Sequence, residues 1–413
     1  MARLTTVSFF TYGLFGLPLA LVALPIYVYV PQFYAERFGL SLTLIGGALL
    51  AARVFDACID PLIGLWIDRR RNHGGYGRFI LISLPLLALG FLALFHPPEL
   101  LQDAASLWFL CTLLLVYLGF SLATIAHQSW GAALTQKLAE RSRLTATREA
   151  CGLLGVILAA LLTGWLGFDG LIAIFIITLL ICAAILLKSA PQPAATQALH
   201  AGWSAMLEPL RNRRFRWLFA VLIVNGIAAS IPATLFLFFA KDQLQLAQYA
   251  GLFLVLYFMA AACSMPLWVA LARRHGEARI WLCAMLLSAA AFIWAYGLPA
   301  GAALPFAVIC VLSGLTLGAD LALPPALLAA VIGRAGHSGQ REGAYFGAWS
   351  WATKMNLALA AGISLPLLEQ LGYVPGTADS TGTHALSVAY ALLPCALKLA
   401  AASILARAPL RDV

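Results

Sequence analysis

The chain has 413 residues, 62% of them hydrophobic and only 10% charged, with a formal net charge of +9 and a mean hydropathy of +0.90. A soluble protein carries roughly 25% charged residues, so the composition excludes a soluble fold and points to an all-α polytopic membrane protein. Apolar runs of about 18 residues or more, the length a membrane-spanning helix needs, recur along the whole chain.

In chain order, twelve segments are predicted as transmembrane helices: 10–33, 42–66, 79–97, 105–133, 149–167, 168–188, 216–240, 247–272, 280–299, 303–333, 343–371 and 384–405. Little more than residues 167–170 separates the fifth from the sixth. The longest polar interruption, Pro/Ala-rich and ending in the basic run Arg211 to Arg216, divides the helices six and six. The expected organisation is an N-terminal six-helix bundle (1–188), a cytoplasmic linker (189–215) and a C-terminal six-helix bundle (216–413). Residues 201–210 have the composition of a short helix lying on the cytoplasmic face.

Placing the loops alternately on two sides puts 21 of the 26 Lys and Arg on one side. Only Arg37 and Lys241 fall on the other, and Arg53, Lys354 and Lys398 lie within predicted helices. This asymmetry follows the positive-inside rule and places both termini in the cytoplasm. The basic excess is thus a topology signal, helped by anionic lipid headgroups, and nucleic acid is not expected as a partner. The first apolar segment is long and lacks a small-residue cleavage site, so no cleavable signal peptide is expected. All eight cysteines, Cys58, Cys111 and Cys395 among them, fall inside predicted helices without paired spacing. They read as small core residues, with neither disulfides nor a metal site.

The second predicted helix holds Arg53, Asp56 and Asp60. Offsets of three and four residues put all three on one helix face. Each charge costs roughly 2.5–3.5 kcal/mol at a bilayer centre. Two readings stand: a structural ion-pair cluster, or a cation or proton site. Two acids against one base leave a formal surplus of −1, which favours the second. A further intramembrane charge, Lys354, follows Trp349 and Trp351 in the eleventh helix. It either snorkels to an interface or faces a cavity, balancing the surplus or meeting an anionic solute.

The halves echo each other. Pro61 and Gly64 lead into Asp68, Arg69, Arg70 and Arg71 at the end of the second helix, while Pro266 leads into Arg273, Arg274 and His275 at the end of the eighth. The position before Pro61 is Asp60, whereas the position before Pro266 is Met265. A pair of six-helix repeats resembles the major facilitator superfamily, whose substrate site lies between its halves. Gly64, Asp68 and Arg69 resemble that superfamily's cytoplasmic gating loop.

Arg53, Asp56, Asp60, Pro61 and Gly64, with Lys354 and then Gly372, Tyr373 and Pro375 before the twelfth helix, resemble the glycoside–pentoside–hexuronide:cation symporter family over the full chain. The resemblance implies a cation site at Asp56 and Asp60 with Lys354 beside it. Arg148, adjacent to Glu149, looks like the family's arginine in helix five, in a structural or gating role. The acids with which the family's melibiose carrier grips sugar hydroxyls are replaced by Pro18 and Ala126, which puts a galactoside in doubt. Ile59 replaces the family's amide beside the second acid, and Thr124 offers a hydroxyl instead. That leans toward a proton over sodium as the coupling ion.

His127, Gln128, Asn225, Tyr257, Asp320 and Trp351 are candidates to line a solute cavity. Each has the competing reading of a packing hydrogen bond. Asp320 stands out as an unpaired acid in an apolar stretch, and Pro324 and Pro325 after it are expected to break the tenth helix.

The reading is a twelve-helix transporter of the bacterial inner membrane, not an enzyme. It couples H+ or Na+ to a small organic solute by alternating access, as a monomer among membrane lipid, with no cofactor and no metal. The alternatives are a carrier of lipid-like amphiphiles such as lysophospholipids, and a membrane sensor.

Overall fold

The computed structural model describes residues 6–70, 75–98, 104–134, 138–189, 208–336, 342–376 and 380–410. Every regular element among them is helical. The chain forms two compact units, residues 1–40 with 48–199 and residues 41–47 with 200–413.

The first unit opens with α1 (Thr6–Gly13), α2 (Gly16–Val28) and α3 (Val30–Phe38), a single path interrupted where glycine and proline weaken the hydrogen-bond ladder. It continues through α4 (Leu42–Arg70), α5 (Gly77–Phe95), α6 (Ala105–Leu134) and α7 (Leu138–Ser189). The 52 residues of α7 would measure about 78 Å as one rod, more than twice the roughly 30 Å of a hydrocarbon core. Gly167, at φ 64° and ψ −166°, divides it into two crossings at the predicted place. Phe79, Phe91, Phe109 and Phe175 fill the interior of this unit. Helices α2 and α7 approach backbone to backbone. A Cβ on Gly155 would lie 2.2 Å from the Leu17 carbonyl oxygen.

The second unit contains α8 (Arg213–Phe238), α9 (Ala250–His275), α10 (Glu277–Phe292), α11 (Ala303–Arg334), α12 (Glu342–Gln370), α13 (Ser380–Ser387) and α14 (Leu393–Arg407). Asn212 caps α8, its side-chain oxygen accepting from the N–H groups of Arg214 and Phe215. Phe215, Trp281, Leu327, Leu328, Val331 and Tyr345 form its main apolar cluster. Residues 41–47, the first turns of α4, belong here: the Thr43 N–H donates to Glu369 Oε2 at 2.5 Å. One turn of π-helix continues α8 (Phe239–Gln243), and another joins α13 to α14 (Val388–Leu392). Their rings Phe239 and Tyr390 stack at 4.0 Å between centroids.

Ten helical stretches among the described residues are long and apolar enough to cross a membrane. Gly167 divides one of them, and α12 adds a further helix of 29 residues. The twelve predicted crossings are accounted for.

Two expectations are corrected. α11 runs unbroken through Pro324 and Pro325, so the tenth crossing is not split. Neighbouring helices support a membrane helix whose ladder has lost two donors. The cysteines are free, but only Cys151, Cys182, Cys310 and Cys395 are buried; Cys58, Cys111, Cys263 and Cys283 are exposed. An apolar sulfhydryl meets lipid as readily as core, so burial does not follow from a place in a spanning helix. Of the expected short helix at 201–210, residues 201–207 lie outside the described residues, and Glu208–Arg211 is a single 3₁₀ turn.

Candidate ion-coupling and solute sites

In the first unit the charged face of α4 meets a polar face of α6. Tyr117, Ser121 and Thr124 recur on α6 at offsets of four and three residues, one stripe of a helix. Asp56 is almost fully buried, with 1% of its side chain exposed. The Ser121 hydroxyl donates to its Oδ1. The Arg53 guanidinium lies 3.6 Å from its Oδ2 and sits over the Tyr117 ring at 4.2 Å from the centroid. A cation so placed is held from two sides, by the carboxylate and by the ring face. One turn further on, Asp60 is partly buried with Oδ1 fully so. The Thr124 hydroxyl is buried and has no hydrogen-bond partner among the described residues. The trio stands on a helix inside the apolar part of the chain. A buried carboxylate with hydroxyls beside it is suited to taking up a small cation or a proton.

Two predicted cavity residues of this unit part company. His127 is fully buried. Its Nε2 lies 2.9 Å from the Tyr12 carbonyl oxygen, and the Tyr12 hydroxyl donates to the His127 carbonyl at 3.0 Å. The rings of the two residues lie 4.3 Å apart, and Gly131 leaves room for the Tyr12 hydroxyl. This is a reciprocal tie between α1 and α6, the packing alternative for His127. Gln128, the next residue, is exposed. Arg148 pairs with Glu149 at 2.5 Å, as the sequence suggested.

In the second unit, Asp320 is not the unpaired acid the sequence suggested. Lys398 Nζ donates to its Oδ2 at 2.7 Å. Trp281 Nε1 and Asn225 Nδ2 donate to its Oδ1 at 2.7 and 3.2 Å. Tyr257 packs on α11, where Gly314 admits its backbone carbonyl. Trp351 is exposed, and Lys354 is partly buried in α12. Asn356, buried beside Gly226, donates to the Leu222 carbonyl at 3.1 Å.

Of the residues expected to gate, Gly64 stands in open space, where a Cβ would meet nothing within 4 Å. Asp68 and Arg69 extend α4 to its last turn; their side chains, and residues 71–74, lie outside the described residues. Sequence reasoning passed over Ser121, Tyr117, Lys398 and Trp281. The α6 pair had a signal, since both share Thr124's helical stripe. Lys398 had one as well, as a third lysine or arginine inside a spanning segment.

Residues 10–412 match the model of the family described as MFS/sugar transport protein. A Bacillus subtilis (strain 168) protein described as the uncharacterized symporter YjmB is 22% identical over 402 residues, covering 90% of this chain and 86% of that protein. A putative sulfoquinovose importer of Salmonella typhimurium is 23% identical over 411 residues, covering 91% and 83%. Among solved structures, that of the nucleoside transporter NupG superposes with a TM-score of 0.68 at 13% identity, covering 97% of this chain and 99% of that one. At such identity the likeness concerns the fold.

Proposed function

The chain belongs to the MFS/sugar transport protein family, and from that premise we propose that it is a cation-coupled secondary transporter of a small organic solute. It works by alternating access in the bacterial inner membrane, with both termini cytoplasmic. The observation that carries this reading is the buried Asp56 of α4, bonded by Ser121 and faced by Arg53, with Asp60 one turn away. A helix with two acids and one base changes its net charge when a cation or proton arrives, and that change is what couples an ion gradient to a conformational step. Asp56, Asp60 and Thr124 take the ion, while Arg53 and Lys354 set the local field. No cofactor is required; the ion is H+ or Na+.

The solute is a hydroxylated anion of the sugar-acid type. Pro18 and Ala126 stand where the family resemblance expects sugar-gripping acids, and Ala126 is fully buried. Acids there would repel a sulfonate or carboxylate, and their loss removes that repulsion. One relative is described as a putative sulfoquinovose importer, which makes sulfoquinovose the first solute to assay.

Uptake into membrane vesicles under an imposed proton or sodium gradient tests the reading. Asp56→Asn and Asp60→Asn should each abolish accumulation against a gradient. Retention of gradient-driven accumulation by both variants would refute it.

A further inference from the structure

The second unit carries a buried ion pair that the coupling site does not use. Asp320 stands on α11, and its carboxylate accepts from three helices at once: Lys398 of α14, Trp281 of α10 and Asn225 of α8. Only 9% of the Asp320 side chain and 11% of the Lys398 side chain are exposed, and Trp281 is fully buried. Trp281 is itself a member of the unit's apolar cluster, with Ala319, Leu323, Ala401 and Ala402.

We propose that Asp320, Lys398 and Trp281, with Asn225, form a charge-neutral positioning clasp that holds α8, α10, α11 and α14 as one body, and whose charges take no part in binding the coupling ion. Three features separate a clasp from a second ion site. The formal charges of Asp320 and Lys398 cancel, so the pair has no surplus to attract a cation. Both carboxylate oxygens already accept from nitrogen donors. The donors come from three different helices, so any step that withdrew the carboxylate would loosen three seams together. Orientation of Asn225 follows from the same contacts. With Nδ2 committed to Asp320, its Oδ1 is buried without a hydrogen bond of its own among the described residues.

The seam carries a native reporter. Cys395 lies one turn before Lys398 on α14, and its thiol donates to the Ala289 carbonyl of α10 at 3.5 Å. It is buried, as a clasped seam requires.

The experiment compares Asp320→Asn, Lys398→Met and the double variant in the full-length protein. Maleimide labelling of Cys395 is read by peptide mass spectrometry in native membranes, and melting of the purified protein is followed with and without sodium and across pH. Each single variant should label Cys395 roughly tenfold faster than wild type and lower the melting temperature, because one buried charge loses its partner. The double variant, with no charge to strand, should recover protection and melting temperature toward wild type. Its sodium and pH responses should match those of wild type. A single variant that fails to reach the membrane is rescued on the same terms, by accumulation of the double. A double variant no better than the worse single, single variants indistinguishable from wild type, or a sodium or pH response altered in the double would each overturn the proposal.

Discussion

Helix packing in the first unit makes a prediction whose magnitude can be isolated. Gly152 and Gly155 lie almost one turn apart on α7 and both face α2. A Cβ built on Gly155 lies 2.2 Å from the Leu17 carbonyl oxygen and 3.2 Å from Ala20 Cβ, whereas one on Gly152 meets nothing closer than 3.8 Å. The first distance is about 1 Å short of contact, and the obstacle is backbone, so the helices themselves must part. Alanine in place of a helical glycine gains up to about 1 kcal/mol in propensity, and this gain is common to both sites. Overpacking costs about 1–3 kcal/mol and falls on Gly155 alone. Gly155→Ala should therefore be less stable than Gly152→Ala by about 1–3 kcal/mol, the propensity term cancelling between them. Reversible unfolding of the purified protein in mixed micelles by added denaturing detergent measures the difference. Equal stabilities, or a more stable Gly155→Ala, would refute the claim that α2 and α7 meet backbone to backbone.

Two further outcomes are expected from single hydrogen bonds. Ser121→Ala removes a neutral donor from a buried carboxylate and should cost about 1.5–3 kcal/mol, read by the same unfolding titration, and should weaken gradient-driven uptake; full stability and full uptake together would show that the bond carries nothing. At another place in the second unit, Asp242 Oδ2 accepts from the Tyr373 hydroxyl and from the Gly376 N–H at 3.0 Å. Tyr373→Phe and Asp242→Ala break the same bond, so their combined cost should fall short of the sum by at least about 0.5 kcal/mol; strict additivity in the double-variant cycle would deny the tie.

What the sequence disclosed was what is written along one dimension. A run of apolar residues declares a spanning helix by its length, and Gly167 declared a break because only a residue without a Cβ takes φ 64° at no cost. The charged face of α4 was legible for the same reason: Arg53, Asp56 and Asp60 are neighbours in sequence and in space. Partners brought in from afar were not legible. Ser121 is 65 residues from Asp56, and Lys398 is 78 from Asp320. No periodicity links such positions, so Asp320 read as unpaired. Pro324 and Pro325 misled for a related reason. Whether proline breaks a membrane helix depends on what neighbouring helices supply to the freed carbonyls, and that is a tertiary fact.

The difference between the repeats has a packing cause. In the first unit, the seam between α4 and α6 holds a carboxylate against a serine and leaves the Thr124 hydroxyl unmatched among the described residues. The corresponding seam of the second unit joins α9 and α11, and there the helices are in contact through small residues. A Cβ on Gly318 would lie 2.2 Å from Ser264 Oγ, and one on Gly314 would lie 2.3 Å from the Tyr257 carbonyl oxygen. The Ser264 hydroxyl and the Trp268 indole N–H both donate to the Leu315 carbonyl, at 2.8 and 2.6 Å, so the seam's polar groups are satisfied by backbone. A carboxylate on this face of α9 would find neither space nor a free donor, and burying it would cost more than the contact it displaced. The acid of the second repeat instead stands on α11, where Lys398 and Trp281 neutralise and hold it. Paired acids facing a surplus of hydroxyls are therefore compatible with one repeat and not the other. On the proposed reading, that is why ion coupling belongs to the helix bearing Asp56 and Asp60 while the second unit keeps the Asp320–Lys398 pair for holding helices together.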